Sequence, residues 1–277
     1  MKTLYITDLD GTLLDSRSQV SPATARMLNE AIDSGKLVSL ATARTPATIS
    51  RLMSGVRLQV PVVCMTGTAL WNPATGIYSD VRHFDPATVN EVRRVYERHA
   101  LPYFLYTLRD NMINIYHRGA VSETERRFID DRLDSPYKHF EIPASGSSDI
   151  PERVDDAILF FAMQPCAPAE RAYEEMKSVK GDNPINYFDP TYGPDLSMSE
   201  AFPAHATKAA AARRLAESLG ATRIVAFGDN VNDLPLLREA DVAVAVANAL
   251  PEVKAAADIV IGGNDSDAVA KFIIHDA

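Results

Sequence analysis

Residues 4–12 read LYITDLDGT, a short apolar run followed by two aspartates, Asp8 and Asp10, and a Gly-Thr pair. The apolar run predicts a buried β-strand, and in an extended chain residues i and i+2 point to the same side. Both carboxylates would then enter one small space, where each like charge raises the pKa of the other unless a cation lies between them. The stretch therefore indicates either a metal ion or basic side chain nearby, or a pair of acids that is simply solvated at a strand end.

The regions on both ends of the chain alternate apolar strands with amphipathic helices. After the first strand, Ser21 and Pro22 form a helix start, with Ser21 as N-cap and Pro22 at the first helical position. Near-continuous apolar runs such as LVSLATA (37–43) and DVAVAVA (241–247) are typical of parallel strands covered by helices on both faces. The alternation predicts an α/β fold built on a doubly wound, Rossmann-like parallel sheet.

The middle of the chain follows a different pattern. A hairpin is predicted to turn at Arg109-Asp110-Asn111, and further strands and helices follow without strict alternation. This pattern predicts an α+β domain inserted into the α/β domain. We expect the core to comprise residues 1–83 and 199–277, and the inserted domain to comprise residues 84–198.

The composition limits the classes of function. The 277 residues are 46% apolar and 23% charged, with a formal net charge of −9, which argues against a general nucleic-acid binder. The two cysteines, Cys64 and Cys166, belong to no metal-ligand or disulfide spacing. With no signal-peptide pattern and no apolar stretch long enough to span a bilayer, we expect a cytoplasmic protein without a membrane partner.

Three further stretches would meet the DLDGT segment at one edge of the sheet. The second strand ends at Thr42, shortly before Arg44, and the strand IVAFGD (224–229) delivers Asp229. Ligands bind beyond the carboxyl ends of the strands in open parallel sheets, so Asp8, Thr42 and Asp229 should lie together. Lys208, near the start of a helix, would be brought to the same edge.

This set of residues has a coherent chemistry. Acidic side chains suit Mg²⁺, a hard cation that prefers oxygen ligands. A phosphate in front of them needs neutral and cationic donors, which Thr42, Lys208 and the backbone N–H groups of the turn at Gly11 can supply. Each feature alone is better explained as a solvated or strand-end residue, but all four in order favour a phosphate site with Mg²⁺.

The motif set resembles that of the haloacid dehalogenase superfamily, in particular its Cof-type, sugar-phosphatase-like group, which carries a large C2-type cap between the second and third motifs. The resemblance covers nearly the whole chain, because the tail ADVAVAVANALPEVKAAADIVI (240–261) is also similar to that group. It implies a catalytic core with an inserted cap domain. We identify the inserted α+β domain with this cap.

The resemblance also implies roles for the acidic residues. Asp8 would be the nucleophile that takes the phosphoryl group. Asp10 would protonate the leaving alcohol and then activate the water that hydrolyses the aspartyl phosphate. Asp8, the backbone carbonyl of Asp10, and Asp229 would bind Mg²⁺.

The remaining site residues would bind the phosphoryl group or orient its ligands. Thr42 and Lys208 would contact phosphoryl oxygens, and Asp233 would orient Lys208 or a metal-bound water. Other expected substrate contacts are Gly11, Arg44 and Asn232, with four weaker candidates in the cap: Arg109, Arg118, Tyr187 and Tyr192. The chain departs from the group at several small residues, which puts the usual substrate geometry in doubt: Ala43, Thr66, Thr68, Ala209, Asn230 and Ala268.

Together these observations predict a Mg²⁺-dependent phosphatase that acts on a small phosphorylated metabolite, with a sugar phosphate as the leading substrate class, as a monomer or weak dimer. A phosphomutase of the same superfamily is an alternative, although the sequence shows no paired anion clamps. A phosphate-sensing protein without turnover is another. The presence of both Asp8 and Asp10 argues against it, because a binding protein would need only one of them.

Overall fold

The computed structural model describes residues 2–143, 147–150, 154–188 and 195–276, which form two compact units. The core unit comprises Met1–Val81 and Thr207–Ala277, and the inserted unit comprises Arg82–Ala206. The strands are β1 (Thr3–Thr7), β2 (Leu37–Leu40), β3 (Val62–Cys64), β4 (Ala69–Asn72), β5 (Ile77–Ser79), β6 (Tyr103–Arg109), β7 (Met112–Arg118), β8 (Lys138–Phe140), β9 (Ala157–Pro165), β10 (Asp182–Phe188), β11 (Leu196–Pro203), β12 (Arg223–Gly228), β13 (Val242–Ala245) and β14 (Ile259–Val260). The helices are α1 (Pro22–Asp33), α2 (Pro46–Leu52), α3 (Pro86–Arg98), α4 (Glu123–Asp130), α5 (Cys166–Met176), α6 (Lys208–Leu219), α7 (Leu234–Glu239), α8 (Pro251–Ala256) and α9 (Ala268–His275).

The core unit is built on a parallel five-stranded sheet with the order β14-β13-β12-β1-β2. Helix α1 connects β1 to β2 on one side of the central pair, and α7 connects β12 to β13 on the other. Because such crossovers are right-handed, the two helices cover opposite faces of the sheet. The predicted α/β fold class, with a doubly wound parallel sheet, is confirmed.

The chain leaves the adjacent central strands β1 and β12 toward opposite faces of the sheet. A crevice at the carboxyl ends of the strands is expected at such a point, and Asp8 and Asp229 directly follow these two strands. The register pairs Thr7 with Phe227, so the two carboxylates emerge at nearly the same level. This arrangement positions the candidate site.

Local sequence signals explain how the core elements begin. Ser21 is the N-cap of α1, and its hydroxyl accepts a hydrogen bond of 2.9 Å from the backbone N–H of Thr24, with Pro22 as the first helical residue. Thr207 caps α6 in the same way through the N–H of Ala210. The second cap fixes Lys208 as the first residue of α6.

The described residues of the inserted unit form a six-stranded sheet with the order β10-β11-β9-β6-β7-β8, in which only the β7–β8 pairing is parallel. The hairpin β6–β7 turns at Asp110 and Asn111, both with positive φ, as a two-residue turn of this kind requires. Residue 198 lies inside β11, which pairs with β9, so this unit extends to Ala206 rather than ending at the predicted position. Its mixture of antiparallel strands and helices is the expected α+β architecture.

None of the helices in the described part of the chain is long and apolar enough to cross a membrane.

Candidate active site

The first element of the site is the turn Leu9–Leu13 that follows β1 and Asp8. The N–H of Asp8 donates to the carbonyl of Phe227 (3.0 Å), and the N–H of Leu14 donates to the carbonyl of Leu9 (2.9 Å), which closes the turn. Gly11 lies in the left-handed region with φ +75°, and a Cβ at this position would lie 2.4 Å from Oδ2 of Asp229. Only glycine fits here, because any side chain would collide with that carboxylate.

A buried ion-pair network joins Lys208 to two aspartates. Its ammonium Nζ donates to Oδ1 of Asp8 (2.6 Å) and to Oδ1 of Asp233 (2.7 Å). The side chain of Lys208 is 3% exposed and that of Asp233 is fully buried. Three charges therefore share a space with very little solvent, where hydrogen bonds between ionised groups are short and strong.

Burial and the opposite charge of the ion-pair partner shift the pKa values of Asp8 and Lys208 in opposite directions. Burial raises the pKa of Asp8 above its usual range, and Asp233 adds to this, while the ammonium of Lys208 partly offsets it. Burial alone would lower the pKa of Lys208, but the carboxylates of Asp8 and Asp233 outweigh burial and raise it. The carboxylates therefore hold Lys208 in its charged form, and a further cation beside Asp8 would favour the ionised form of Asp8.

The loop after β12 supplies the third carboxylate. Oδ1 of Asp229 accepts a hydrogen bond of 2.8 Å from the hydroxyl of Thr12, and burial raises the pKa of Asp229. Oδ2 of Asp233 accepts from the backbone N–H groups of Asp229 (3.1 Å) and Asn230 (3.2 Å), which fixes the loop. The turn after β1 and the loop after β12 are thus joined directly through Thr12.

The carboxylates of Asp8, Asp229 and Asp233 form a group that could hold a metal ion. Each offers an oxygen, and these atoms lie within 4.8 Å of one another. When all three carboxyl groups are ionised, they exceed the single ammonium of Lys208 by two negative charges, which a divalent cation would balance. Hard oxygen donors and this charge fit Mg²⁺.

Asp10 occupies a different position from the other acids. Its carboxylate lies outside this group and pairs with Arg44, whose Nε and second terminal nitrogen donate to its two oxygens at 2.7 and 2.6 Å. The pair is partly accessible, with side-chain exposures of 31% for Arg44 and 50% for Asp10. This two-point contact fixes the orientation of the Asp10 carboxylate.

Thr42 and Thr66 lie at the neighbouring strand ends. The buried hydroxyl of Thr42 accepts from the N–H of Arg44 (3.1 Å), and the carbonyl of Thr42 accepts from the N–H of Thr66 (3.0 Å). Thr66 has φ 57°, an unusual conformation for a β-branched residue. Gly67 next to it leaves no room for a side chain, since a Cβ would lie 2.2 Å from the carbonyl oxygen of Thr207.

The structure therefore brings together most residues selected from the sequence. Asn232 lies in the same loop as Asp229 and Asp233, but its side chain is exposed and has no hydrogen bond with the described residues. In the inserted unit, Arg109 donates to Oδ2 of Asp156 (2.9 Å), and Arg118 lines a cavity of about 280 Å³ in that unit. The side chain of Tyr187 and the whole of Tyr192 lie outside the described part of the chain.

Two contacts of the site were not expected from the sequence. The hydroxyl of Thr12 donates to Asp229, and the sequence feature that could have marked Thr12 is its position in the same turn as Gly11. Nδ2 of Asn248 donates to the carbonyl of Gly11 (2.7 Å) across a sequence separation of 237 residues. No local pattern singles out Asn248, which lies on an exposed loop after β13.

Comparison of the sequence with protein families gives one match over almost the whole chain. The profile of the haloacid dehalogenase-like hydrolase family matches residues 5–273. The chain is 26% identical over 281 residues to the pyridoxal phosphate phosphatase of Escherichia coli (strain K12), covering 96% of this chain and 95% of that protein. It is 25% identical over 275 residues to a 5-amino-6-(5-phospho-D-ribitylamino)uracil phosphatase of Bacillus subtilis (strain 168), covering 98% and 94%.

Solved structures show the same fold. A haloacid dehalogenase-like hydrolase from Bacteroides thetaiotaomicron superposes with a TM-score of 0.77 at 21% identity, covering 99% of this chain and 98% of that one. A structure described as a subclass IIB sugar phosphatase of the same superfamily superposes with a TM-score of 0.73 at 20% identity, covering 99% and 98%. At these identities the likeness is one of fold.

Proposed function

We propose that the chain hydrolyses small phosphorylated metabolites through an aspartyl phosphate on Asp8, because it belongs to the haloacid dehalogenase-like hydrolase family and is a phosphoric monoester hydrolase. The observation that carries the proposal is the buried contact of Asp8 with Lys208, beside a carboxylate group suited to Mg²⁺. A nucleophilic carboxylate next to fixed cationic groups is what phosphoryl transfer requires.

In the first step, a carboxylate oxygen of Asp8 forms a bond to phosphorus, and the bond from phosphorus to the ester oxygen breaks. Asp10, which takes up a proton from solvent before this step, gives it to that ester oxygen, which leaves as an alcohol. Lys208 stays charged between Asp8 and Asp233 and neutralises part of the charge on the phosphoryl oxygens. Asp8, Asp229 and the backbone carbonyl of Asp10 would hold a Mg²⁺ ion, which would supply further positive charge for those oxygens.

In the second step, Asp10 acts as the base. It takes a proton from a water molecule, whose oxygen forms a bond to phosphorus, and the bond from phosphorus to the Asp8 oxygen breaks. Inorganic phosphate leaves, and both carboxyl groups return to their starting states. Arg44 contributes by holding the Asp10 carboxylate through two hydrogen bonds, so that Asp10 can face the same phosphorus in both steps.

The substrate class rests on the relatives. Two proteins similar to this chain over nearly their whole length are named as phosphatases of small phosphorylated compounds, pyridoxal phosphate and a phosphorylated ribitylaminouracil. The residues of the site contact the phosphoryl group, which all phosphate esters share, so the choice among esters must depend on residues beyond it. We take sugar phosphates as the leading class within this range.

The test is the release of inorganic phosphate from a panel of esters by the purified protein. The panel holds sugar phosphates, pyridoxal phosphate and p-nitrophenyl phosphate, with a phosphopeptide and a 5′-phosphorylated oligonucleotide as contrasts. We expect release from small esters with Mg²⁺, loss of release after EDTA treatment, and recovery when Mg²⁺ is restored. Release from none of the esters, or release that survives exhaustive chelation, would contradict the proposal.

A further inference from the structure

The backbone of Gly11 is not restricted by a side chain of its own. The carboxylate of Asp229 excludes any side chain at this position, since a Cβ would lie 2.4 Å from Oδ2. Glycine can adopt both signs of φ at little cost, so the backbone at residue 11 lacks the steric restriction that other residues carry. The orientation of the peptide that follows Gly11 must therefore be fixed by contacts from elsewhere.

Asn248 makes the contact that fixes it. Its Nδ2 donates to the carbonyl of Gly11 at 2.7 Å, and its Oδ1 accepts from the backbone N–H of Asn264 at 2.9 Å. The amide is thus held at both ends, so its donor points at the Gly11 carbonyl. A flip of the peptide between Gly11 and Thr12 would break this hydrogen bond.

The loop that carries Asn248 also contacts the metal-binding side of the site. The N–H of Leu250 donates to the carbonyl of Asp229 at 3.0 Å. From the other direction, Nδ2 of Asn264 donates to the carbonyl of Leu14, just beyond the turn. The segment after β13 therefore joins the turn that carries Asp10 to the loop that carries Asp229.

We propose that Asn248 is a positioning residue for the reaction, and that it holds the turn Leu9–Leu13 so that Asp10 and Asp8 keep their arrangement. The expected effect of Asn248 on turnover rests on the proposed function, whereas its expected effect on the turn does not. Asn248 acts through Gly11 and does not touch the phosphoryl group.

The test compares three variants. Asn248→Ala removes both hydrogen bonds, and Asn248→Asp keeps the acceptor for Asn264 but loses the donor to Gly11. Asn29→Ala is the matched control, because Asn29 also bridges two backbone groups in the core unit, donating to the carbonyl of Gly55 (2.9 Å) and accepting from the N–H of Arg57 (2.8 Å).

We expect both Asn248 variants to lower kcat for p-nitrophenyl phosphate about tenfold, which is the order of the free energy of one hydrogen bond, with little change in KM. Asn29→Ala should leave kcat unchanged at a similar loss of thermal stability. Hydrogen exchange followed by mass spectrometry should show faster deuterium uptake at residues 9–14 in the two Asn248 variants and not in the control.

Two results would overturn the inference. One is uptake at residues 9–14 that is the same in Asn248→Ala as in Asn29→Ala. The other is wild-type kcat in Asn248→Asp, which would mean that the donor to Gly11 has no part in turnover. If the wild-type protein hydrolyses no ester, the proposed function fails, and the exchange measurement alone decides whether Asn248 holds the turn.

Discussion

At the residue scale, the site depends on one buried ammonium group. Removing a charged group from water is costly, and Lys208 remains charged because it contacts the carboxylates of Asp8 and Asp233 on both sides. Without Lys208, the carboxylates of Asp8 and Asp233 would lack their shared cationic partner. The network positions Asp8 for attack and supplies positive charge where the phosphoryl group would bind.

Replacing Lys208 with methionine should therefore affect both turnover and stability. The variant keeps an unbranched side chain of similar length but leaves Asp8 and Asp233 without their shared cation. We expect kcat for p-nitrophenyl phosphate to fall about a hundredfold or more, and the free energy of unfolding measured with urea to fall by about 3 kcal/mol.

A second lysine of the core unit provides the control for this variant. Lys36 is partly buried and donates to the carbonyl of Ile273 at 2.8 Å, outside the site. Lys36→Met should lose stability and keep its turnover. If Lys208→Met retained kcat within about tenfold of wild type, Lys208 would have no direct part in the reaction.

At the element scale, the structure agrees best with the sequence where the signal is local. The N-cap Ser21 with Pro22 predicted the start of α1, and Asp110 with Asn111 predicted the turn of the hairpin β6–β7. The inserted unit ends at Ala206 and not at the predicted residue 198, because β11 runs from Leu196 to Pro203 and its pairing with β9 is a non-local contact. Where the end of a strand is set by pairing with a distant partner, it is only weakly marked in the strand's own sequence.

The first residue of β10 gives a prediction for the inserted unit. Both carboxylate oxygens of Asp182 are buried and have no hydrogen-bond partner from another residue in the described chain. Burial raises the pKa of Asp182 to about 7, and the charge of Glu91 adds to the shift. The folded protein therefore binds this proton more tightly than the unfolded chain, so its contribution to stability is present in acid and is lost as the pH rises to 7.

Asp182→Asn removes the charge at nearly constant shape. We expect the difference in melting temperature between this variant and wild type to be small near pH 4 and to grow in favour of the variant up to about pH 7, in line with the raised pKa of Asp182. Glu91→Gln should give a smaller change of the same sign. A difference that does not depend on pH would contradict the burial of an ionisable carboxyl at this position.

At the scale of the whole molecule, the site is assembled from distant parts of the chain. Asp8 and Lys208 are 200 residues apart, yet both could be selected from the sequence, since the carboxyl end of the first strand and the start of the helix with Lys208 were expected at one edge of the sheet. Family membership, inferred from the same motifs, is confirmed by the profile match. The contact of Asn248 with Gly11 could not be predicted, because an exposed asparagine in a loop has no periodicity and no motif of its own to mark it.

The most direct test of the central claim is to trap the phosphorylated enzyme with Asp10→Asn. An aryl phosphate has a good leaving group that needs little protonation, so the first step should proceed, while the loss of the base should slow hydrolysis of the aspartyl phosphate. After mixing with p-nitrophenyl phosphate and Mg²⁺ and quenching in acid, we expect mass spectrometry to find one phosphoryl group on Asp8. The double variant Asp8→Asn/Asp10→Asn should carry none. A burst of p-nitrophenol without a phosphorylated peptide, or a phosphoryl group on another residue, would contradict the account.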